Sequence, residues 1–92
     1  NEGKNPGEKL RKILVPLLME CISQKEQLIV DLDGTAGYGT SFLEEVFGGL
    51  IREERFKYQD LKEYLDFISE EEPDLIDEIW QDIEDAHENE TH

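Results

Sequence analysis

The chain has 92 residues and a formal charge of −15 at pH 7, because 24 acidic residues outnumber nine basic ones. This length supports one folded domain and excludes a second, and such a negative surface repels nucleic-acid phosphate and anionic lipid. We therefore expect residues 1–92 to form a single domain that binds neither nucleic acid directly nor a membrane. Residues 1–5 are interpreted as an N-terminal remnant, and residues 88–92 as an acidic tail or the remainder of a purification tag.

The cysteine content and the hydropathy of the chain indicate its compartment. The single cysteine, Cys21, has no partner for an internal disulfide, and we expect it to be a buried core thiol. No apolar run approaches the roughly 18 residues of a membrane span, and no secretory signal opens the sequence. A cytoplasmic location is therefore predicted.

The first predicted element is a helix that begins at the sequence NPGE. Asn5 is suited to the N-cap, Pro6 to the first helical position, and Glu8 follows three residues after the cap. Apolar residues then recur at steps of three and four and predict one buried stripe. The stripe comprises Leu10, Ile13, Leu14, Leu17, Leu18, Cys21 and Ile22. Pro16 predicts a bend in this continuous helix, because proline removes a backbone hydrogen bond.

A short strand and a glycine-rich loop follow the first helix. The segment QLIVDL, residues 27–32, is apolar and β-branched, which is typical of a strand buried on both faces of a parallel sheet. The next segment, DGTAGYG, holds three glycines and predicts a loop over residues 33–39. Ser41 and Glu44 then match the capping-box pattern, so a second helix is expected to begin at Ser41.

The second predicted helix carries an apolar face and two glycines. The residues expected to face the core are Phe42, Leu43, Val46, Phe47, Leu50 and Ile51. Gly48 and Gly49 lie inside this helix, where each costs about 1 kcal/mol relative to alanine. The pair therefore indicates that another part of the chain approaches the helix backbone closely.

A second strand and a third helix complete the predicted fold. Residues 56–64 predict a short helical connection, residues 65–69 a strand, and residues 73–86 a helix. The order is αβαβα, and a right-handed crossover makes the strands parallel, so we predict a small α/β domain with a mainly parallel sheet. Two strands alone rarely form a stable sheet. We expect an N-terminal strand missing from this chain to complete it, and a homodimer that shares strands remains the alternative.

The sequence DLDGT at the end of the first strand matches the signature of haloacid dehalogenase-type phosphatases. In those enzymes the first aspartate is the nucleophile, the second acts as acid and base, and Mg²⁺ neutralises the phosphate. Asp31 and Asp33 have that spacing. The chemistry also needs groups at the ends of further parallel strands, which this short chain does not supply. The phosphatase is the enzymatic alternative, and the competing interpretation is that both aspartates bond amides of the glycine loop.

Three blocks of the sequence resemble the STAS-like domain family of uncharacterised bacterial and phage proteins. They are GEKLRKILVPLL, LIVDLDGTAGYGTSFLEEVFGGLIRE and LDFISEEEPDLIDEIWQDIEDA, and together they span about 80 residues. The resemblance includes the proline of the first helix, the YGTSF start of the second and the tryptophan of the last. It implies a STAS-like fold whose usual N-terminal strand is lacking here.

The resemblance also implies a function. Distantly similar STAS domains include antagonists of anti-sigma factors, in which a partner kinase phosphorylates a Ser or Thr at the start of the helix after the loop. Thr40 and Ser41 occupy this place, and Ser41 is the better match. We expect a noncatalytic regulatory domain that binds a protein partner, such as a kinase, through Asp33, Gly34, Tyr38, Gly39, Thr40 and Ser41. No catalytic residue, metal ligand or cofactor is predicted.

The acidic C-terminal part of the chain supports another alternative. Every Lys and Arg lies at or before Lys62, whereas residues 70–92 carry eleven acidic residues. Such a face would either mimic nucleic-acid phosphate and occupy a basic protein groove, or simply keep the protein in solution. His87 and His92 have no spacing typical of metal ligands.

Overall fold

A computed structural model of the protein describes residues 6–33 and 39–90. Helix α1 spans Pro6–Gln24 and strand β1 spans Leu28–Asp31. Helix α2 is continuous over residues 40–52, and consists of α-helical Thr40–Leu43, π-helical Glu44–Gly48 and α-helical Gly49–Arg52. Helix α3 spans Tyr58–Tyr64, strand β2 spans Leu65–Ile68 and helix α4 spans Asp74–Glu90. The predicted α/β fold is confirmed, and the expected helical connection is the separate short helix α3.

The two strands form a parallel sheet. Leu28 lies opposite Leu65 and Asp31 lies opposite Ile68, and beyond β1 the Leu32 amide donates to the Ile68 carbonyl at 2.7 Å. Helices α2 and α3 lie in the connection between the strands, as a parallel pair requires. Residues 6–33 and 39–90 contain just this strand pair, so the N-terminal strand expected to complete the sheet is not among them.

In residues 6–33 and 39–90, helices cover one face of the sheet and no helix covers the other. Leu65 and Phe67 of β2 are buried, and the Phe67 ring meets Phe47 of α2 edge to face with centroids 5.2 Å apart. Ile29 and Ile68 are 53% and 43% exposed on the opposite face. The prediction of a strand buried on both faces is therefore wrong, because no second helical layer among the described residues covers the side of Ile29.

The core lies between the helices and the covered face of the sheet. Its largest fully buried side chains are Leu18, Val46, Phe47, Leu50, Leu61, Ile79 and Ile83. Burial of each such side chain contributes roughly 1.5–3 kcal/mol to folding. Across the described residues, no helix is both long enough and apolar enough to cross a bilayer.

Helix α1 begins at Pro6 as predicted, but only part of its predicted apolar stripe packs against the core. Leu14 and Leu18 are buried as expected, whereas Ile13 and Leu17 are 60% and 47% exposed. The positions in phase with Leu14 and Leu18 contact α2, and a residue one position earlier lies about 100° round the helix. The predicted stripe was therefore too wide.

Arg11 lies on the buried face of α1 and joins it to α2. Its side chain is 4% exposed. The Nη1 atom donates to the Glu45 carbonyl at 2.9 Å and to Glu45 Oε2 at 2.7 Å, and the Nε atom donates to Glu54 Oε2 at 3.0 Å. Burial alone would lower the pKa of Arg11, but the two carboxylates outweigh burial and raise it. The buried charge is thus fully paired and hydrogen-bonded, which is the condition under which proteins tolerate one.

The glycine pair of α2 lies against two arginine–carboxylate pairs. A Cβ atom at Gly49 would lie 2.5 Å from Nη1 and 2.8 Å from Cδ of Arg11. A Cβ atom at Gly48 would instead lie 2.7 Å from Glu44 Oε2 and 2.9 Å from Arg52 Nη1, and these two side chains pair with each other while partly exposed. The close approach that the glycines indicated is confirmed, and at Gly49 the approaching group is the buried arginine.

Alanine substitution of the two glycines tests this packing. We expect Gly49→Ala to lower the free energy of unfolding by about 2 kcal/mol, because hydrogen bonds to Glu45 and Glu54 prevent Arg11 from moving aside. Gly48→Ala is the matched control and should stay within about 1 kcal/mol of the wild type, since the side chains it meets can swing into solvent and alanine favours a helix. Urea unfolding followed by circular dichroism measures both. Equal stabilities of the two variants would contradict the contact assigned to Gly49.

Candidate functional site

The chain leaves β1 through two aspartates whose carboxylates bond backbone amides. Asp31 Oδ1 accepts the Asp33 amide at 2.9 Å, and Asp33 Oδ1 accepts the amides of Glu70 and Glu71 at 2.8 and 2.9 Å. Glu70 and Glu71 follow β2, so Asp33 ties the ends of the two parallel strands together. The sequence had suggested donors in the glycine loop, of which residues 34–38 lie outside the described residues. The donor to Asp31 is the first residue of that loop, as expected, whereas the donors to Asp33 follow β2.

The segment after β2 is held by its own serine. Ser69 is buried, and its hydroxyl donates to the Glu72 carbonyl at 2.6 Å and accepts the Glu72 amide at 3.3 Å. Together with Asp33, this serine positions residues 69–72 at the carboxyl end of the sheet. Open α/β sheets bind their ligands at this end of the strands.

The hydrogen bonds of Asp31 and Asp33 occupy carboxylate oxygens that a phosphatase would use for catalysis. In the phosphatase interpretation Asp31 would attack phosphorus and Asp33 would transfer a proton. One oxygen of each carboxylate already accepts a backbone amide, and the contacts of Asp33 hold two strand ends together. Within residues 6–33 and 39–90, no group of three or more Asp, Glu, His or Cys side chains is arranged to hold a metal ion.

Alanine substitution separates the roles of the two aspartates. We expect Asp33→Ala to lower the free energy of unfolding by about 1.5 kcal/mol, because two amides from a distant segment lose their acceptor. Asp31→Ala should lower it by less than about 0.5 kcal/mol, since it removes one local contact at the surface. Urea unfolding of both variants is the measurement. A larger loss in Asp31→Ala than in Asp33→Ala would show that Asp33 is not the tie between the strand ends.

Ser41 lies in the first turn of α2 and its side chain is exposed. Helix α2 begins at Thr40, one residue before the predicted start, so Ser41 is not the N-cap. The predicted capping box with Glu44 is wrong, because the Glu44 carboxylate is bound by the guanidinium of Arg52 through both oxygens. An arginine two turns later offers Glu44 a full positive charge, whereas the capping box offers a backbone amide.

A groove of about 350 Å³ lies beside Ser41. Its lining consists of Pro6 and Gly7 of α1 and of Ser41, Phe42 and Glu45 of α2. Glu45 follows Ser41 by one helical turn, and Arg11 holds its carboxylate. Ser41 was predicted from the sequence and Glu45 was not, although its spacing of four residues from Ser41 on a helix was a usable signal.

The predicted site residues fall into two groups. Asp33 is half-buried at the end of β1, Gly39 is exposed, Thr40 opens α2 and Ser41 follows it. Gly34 and Tyr38 lie outside the described residues. The described members therefore flank the loop on both sides, where β1 ends and where α2 begins.

One carboxyl on the acidic face of α4 has a strongly altered pKa. The pKa of Asp82 is raised from 3.8 to about 6, because burial penalises the charged form. The carboxylates of Glu44, Asp85 and Glu78 add repulsion, whereas Arg52 acts in the opposite direction. The pKa of Asp82 therefore depends on the Glu44–Arg52 ion pair of α2 as well as on the acids of its own helix.

The raised pKa makes the stability of the protein depend on pH. Between about pH 4 and pH 6 the folded state binds more protons at Asp82 than the unfolded chain does, so the contribution of Asp82 to stability falls as pH rises through this window. We expect Asp82→Asn, which mimics the protonated carboxyl, to raise the free energy of unfolding by about 1 kcal/mol at pH 7.5 and to leave it unchanged near pH 4. Urea unfolding at both pH values is the measurement.

The control for this prediction is Asp77→Asn, at an exposed position near the start of the same helix. It removes the same charge and should not stabilise the protein at pH 7.5, because a carboxylate near a helix N-terminus is favourable. A gain of equal size at both pH values in Asp82→Asn would refute the link to titration.

Comparison with known proteins identifies the family. The family model described as a STAS-like domain of unknown function (DUF4325) matches residues 6–75. No curated protein and no solved structure gave a match. The matched residues run from the start of α1 to the start of α4, and they leave out the tryptophan of α4, which the resemblance in sequence had included. The chain therefore belongs to the STAS-like domain family.

Proposed function

We propose that this STAS-like domain is a noncatalytic regulatory module that binds a protein partner. The binding surface, here named the loop surface, comprises Asp33, Gly34, Tyr38, Gly39, Thr40 and Ser41. The observation that carries the proposal is the exposure of Ser41 in the first turn of α2, beside a groove that a partner side chain can enter. Loops held by a rigid scaffold are common binding surfaces, and here Asp33 supplies a fixed anchor on the side of β1.

Phosphorylation of Ser41 is the regulatory step in this proposal. An exposed hydroxyl is accessible to a kinase, and the phosphate adds about −1.5 to −2 charges. Glu45 lies one turn further along the groove, where Arg11 holds its carboxylate, and Arg52 is bound to Glu44. Arg11, which contacts α2, and Arg52, which belongs to it, are thus already paired with carboxylates. A partner specific for the phosphorylated form would have to supply its own Lys or Arg, and a partner of the unmodified form would be repelled.

Two further observations support the proposal. The contacts of Asp31 and Asp33 give both aspartates a structural role that needs no catalysis. Cys21 is half-buried rather than fully buried as expected, and a free thiol suits the reducing cytoplasm in which we place this regulatory module.

Capture of partners by the full chain tests the loop surface. The baits are the wild type, Ser41→Ala, Ser41→Glu and Tyr38→Ala, incubated with a lysate of the source cells and analysed quantitatively, with the recovered wild-type bait examined for phosphate at Ser41. We expect Ser41→Ala to capture the same partner as the unphosphorylated wild type. Ser41→Glu should change its recovery by about tenfold, and Tyr38→Ala should reduce it. Ser23→Glu, which changes an exposed serine of α1 in the same way, should behave as the wild type.

Mimicry of nucleic acid and phosphatase activity, the two alternative functions, predict different results. Equal recovery by all the Ser41 and Tyr38 baits would overturn the proposal. Capture that is lost in high salt and on neutralising acids within residues 70–88 would instead support mimicry of nucleic acid. Turnover of p-nitrophenyl phosphate with Mg²⁺ that disappears in Asp31→Asn would establish the phosphatase.

A further inference from the structure

A cleft of about 440 Å³ opens where the segment after α2 meets the last turns of α4. The buried side chain of Ile51 and the rings of Tyr58 and His87 line it, and these rings stack with centroids 4.9 Å apart and planes 12° from parallel. Arg55 and Lys57 also line the cleft. Of the described residues that form the lining, none is acidic, which sets this cleft apart in a chain of charge −15.

The stacked rings are held in place at the cleft. The Tyr58 hydroxyl donates to Glu84 Oε2 at 3.2 Å, and burial together with this carboxylate raises the pKa of Tyr58. The phenol therefore stays protonated and keeps its hydrogen bond to α4. A fixed aromatic face of this kind is suited to stacking against a planar ligand.

Arg55 occupies a backbone conformation that favours glycine. Its φ angle is +66°, and the following amide, that of Phe56, donates to the Leu50 carbonyl at 2.9 Å and so caps the end of α2. A left-handed residue at this place in a helix cap is usually glycine, because a Cβ atom is unfavourable there. The turn places Arg55 on the lining of the cleft.

We propose that this cleft binds a small planar ligand that carries one anionic group, such as an aromatic phosphate or carboxylate. Its volume lies within the range of small-molecule sites. The ring of the ligand stacks on the face of Tyr58 or of His87 that the other ring does not cover, and the anionic group accepts hydrogen bonds from Arg55 and Lys57. The site shares no residue with the loop surface, so it does not depend on the function proposed for Ser41.

Titration of the ¹⁵N-labelled full chain tests the proposal, with phenyl phosphate and benzoate as probes. We expect the amide signals of residues 55–59 and of His87 to move and saturate with a dissociation constant of about 1 mM or lower. Benzyl alcohol and benzylamine, which are neutral and cationic, should move them little. Saturation by one anion alone would support the site and assign its ligand as a phosphate or a carboxylate. Shifts that never saturate, or that benzyl alcohol reproduces, would overturn the proposal.

Three variants of the full chain distinguish a specific binding site from nonspecific attraction of anions to positive charge. Arg55→Gly and Lys57→Gln should each weaken binding about tenfold, and glycine accepts the left-handed conformation, so the fold of Arg55→Gly should persist. Lys25→Gly is the matched control, because Lys25 has a φ angle of +59° after α1 and does not line the cleft. It loses the same charge and should bind the probes as the wild type does. Equal weakening in Lys25→Gly, or wild-type affinity in Arg55→Gly, would overturn the proposal.

Discussion

One buried guanidinium fixes the helical layer of this domain. Arg11 contacts Glu45 through both its carbonyl and its carboxylate, and reaches the turn after α2 at Glu54. Glu45 lies in the π-helical segment Glu44–Gly48, and π-helical turns are rare in proteins and occur mostly as short bulges inside α-helices. Loss of either carboxylate would leave the buried charge with less compensation, so the packing of α1, the glycine at position 49 and the winding of α2 depend on one another.

The same constraint determines where the loop surface lies. Arg11 holds α2 from one side, so Ser41 and its groove are carried by a helix whose position is fixed. Asp33 holds the other end of the loop through amides that follow β2. The loop therefore joins two rigid anchors, which allows a binding surface to vary in sequence without disturbing the core.

Local patterns predicted the elements well and the contacts between elements less well. The parallel strand pair followed from the order of the elements, whereas the exposure of Ile13 could not be predicted, because apolar periodicity does not tell which part of a wide stripe packs. The buried contacts of Arg11 determine which part packs. Arg11 lies on the same helix face as Leu14, but a charged residue does not count in a pattern of apolar residues. At the site, Ser41 was found through resemblance and Asp33 through its place at a strand end. The donors to Asp33 lie 37 and 38 residues further along the chain, beyond any local pattern.

The open face of the sheet also affects how the protein behaves at high concentration. Each strand has one neighbour in the described residues, so its other side presents backbone groups with which a foreign strand can pair. The exposed side chains of Ile29 and Ile68 would favour stacking of two sheets face to face. However, Asp66 lies opposite Ile29, and Asp31 lies opposite Ile68. Stacking of two such faces would bring carboxylates against apolar side chains or against each other. Asp66 and Asp31 therefore oppose aggregation through this face of the sheet.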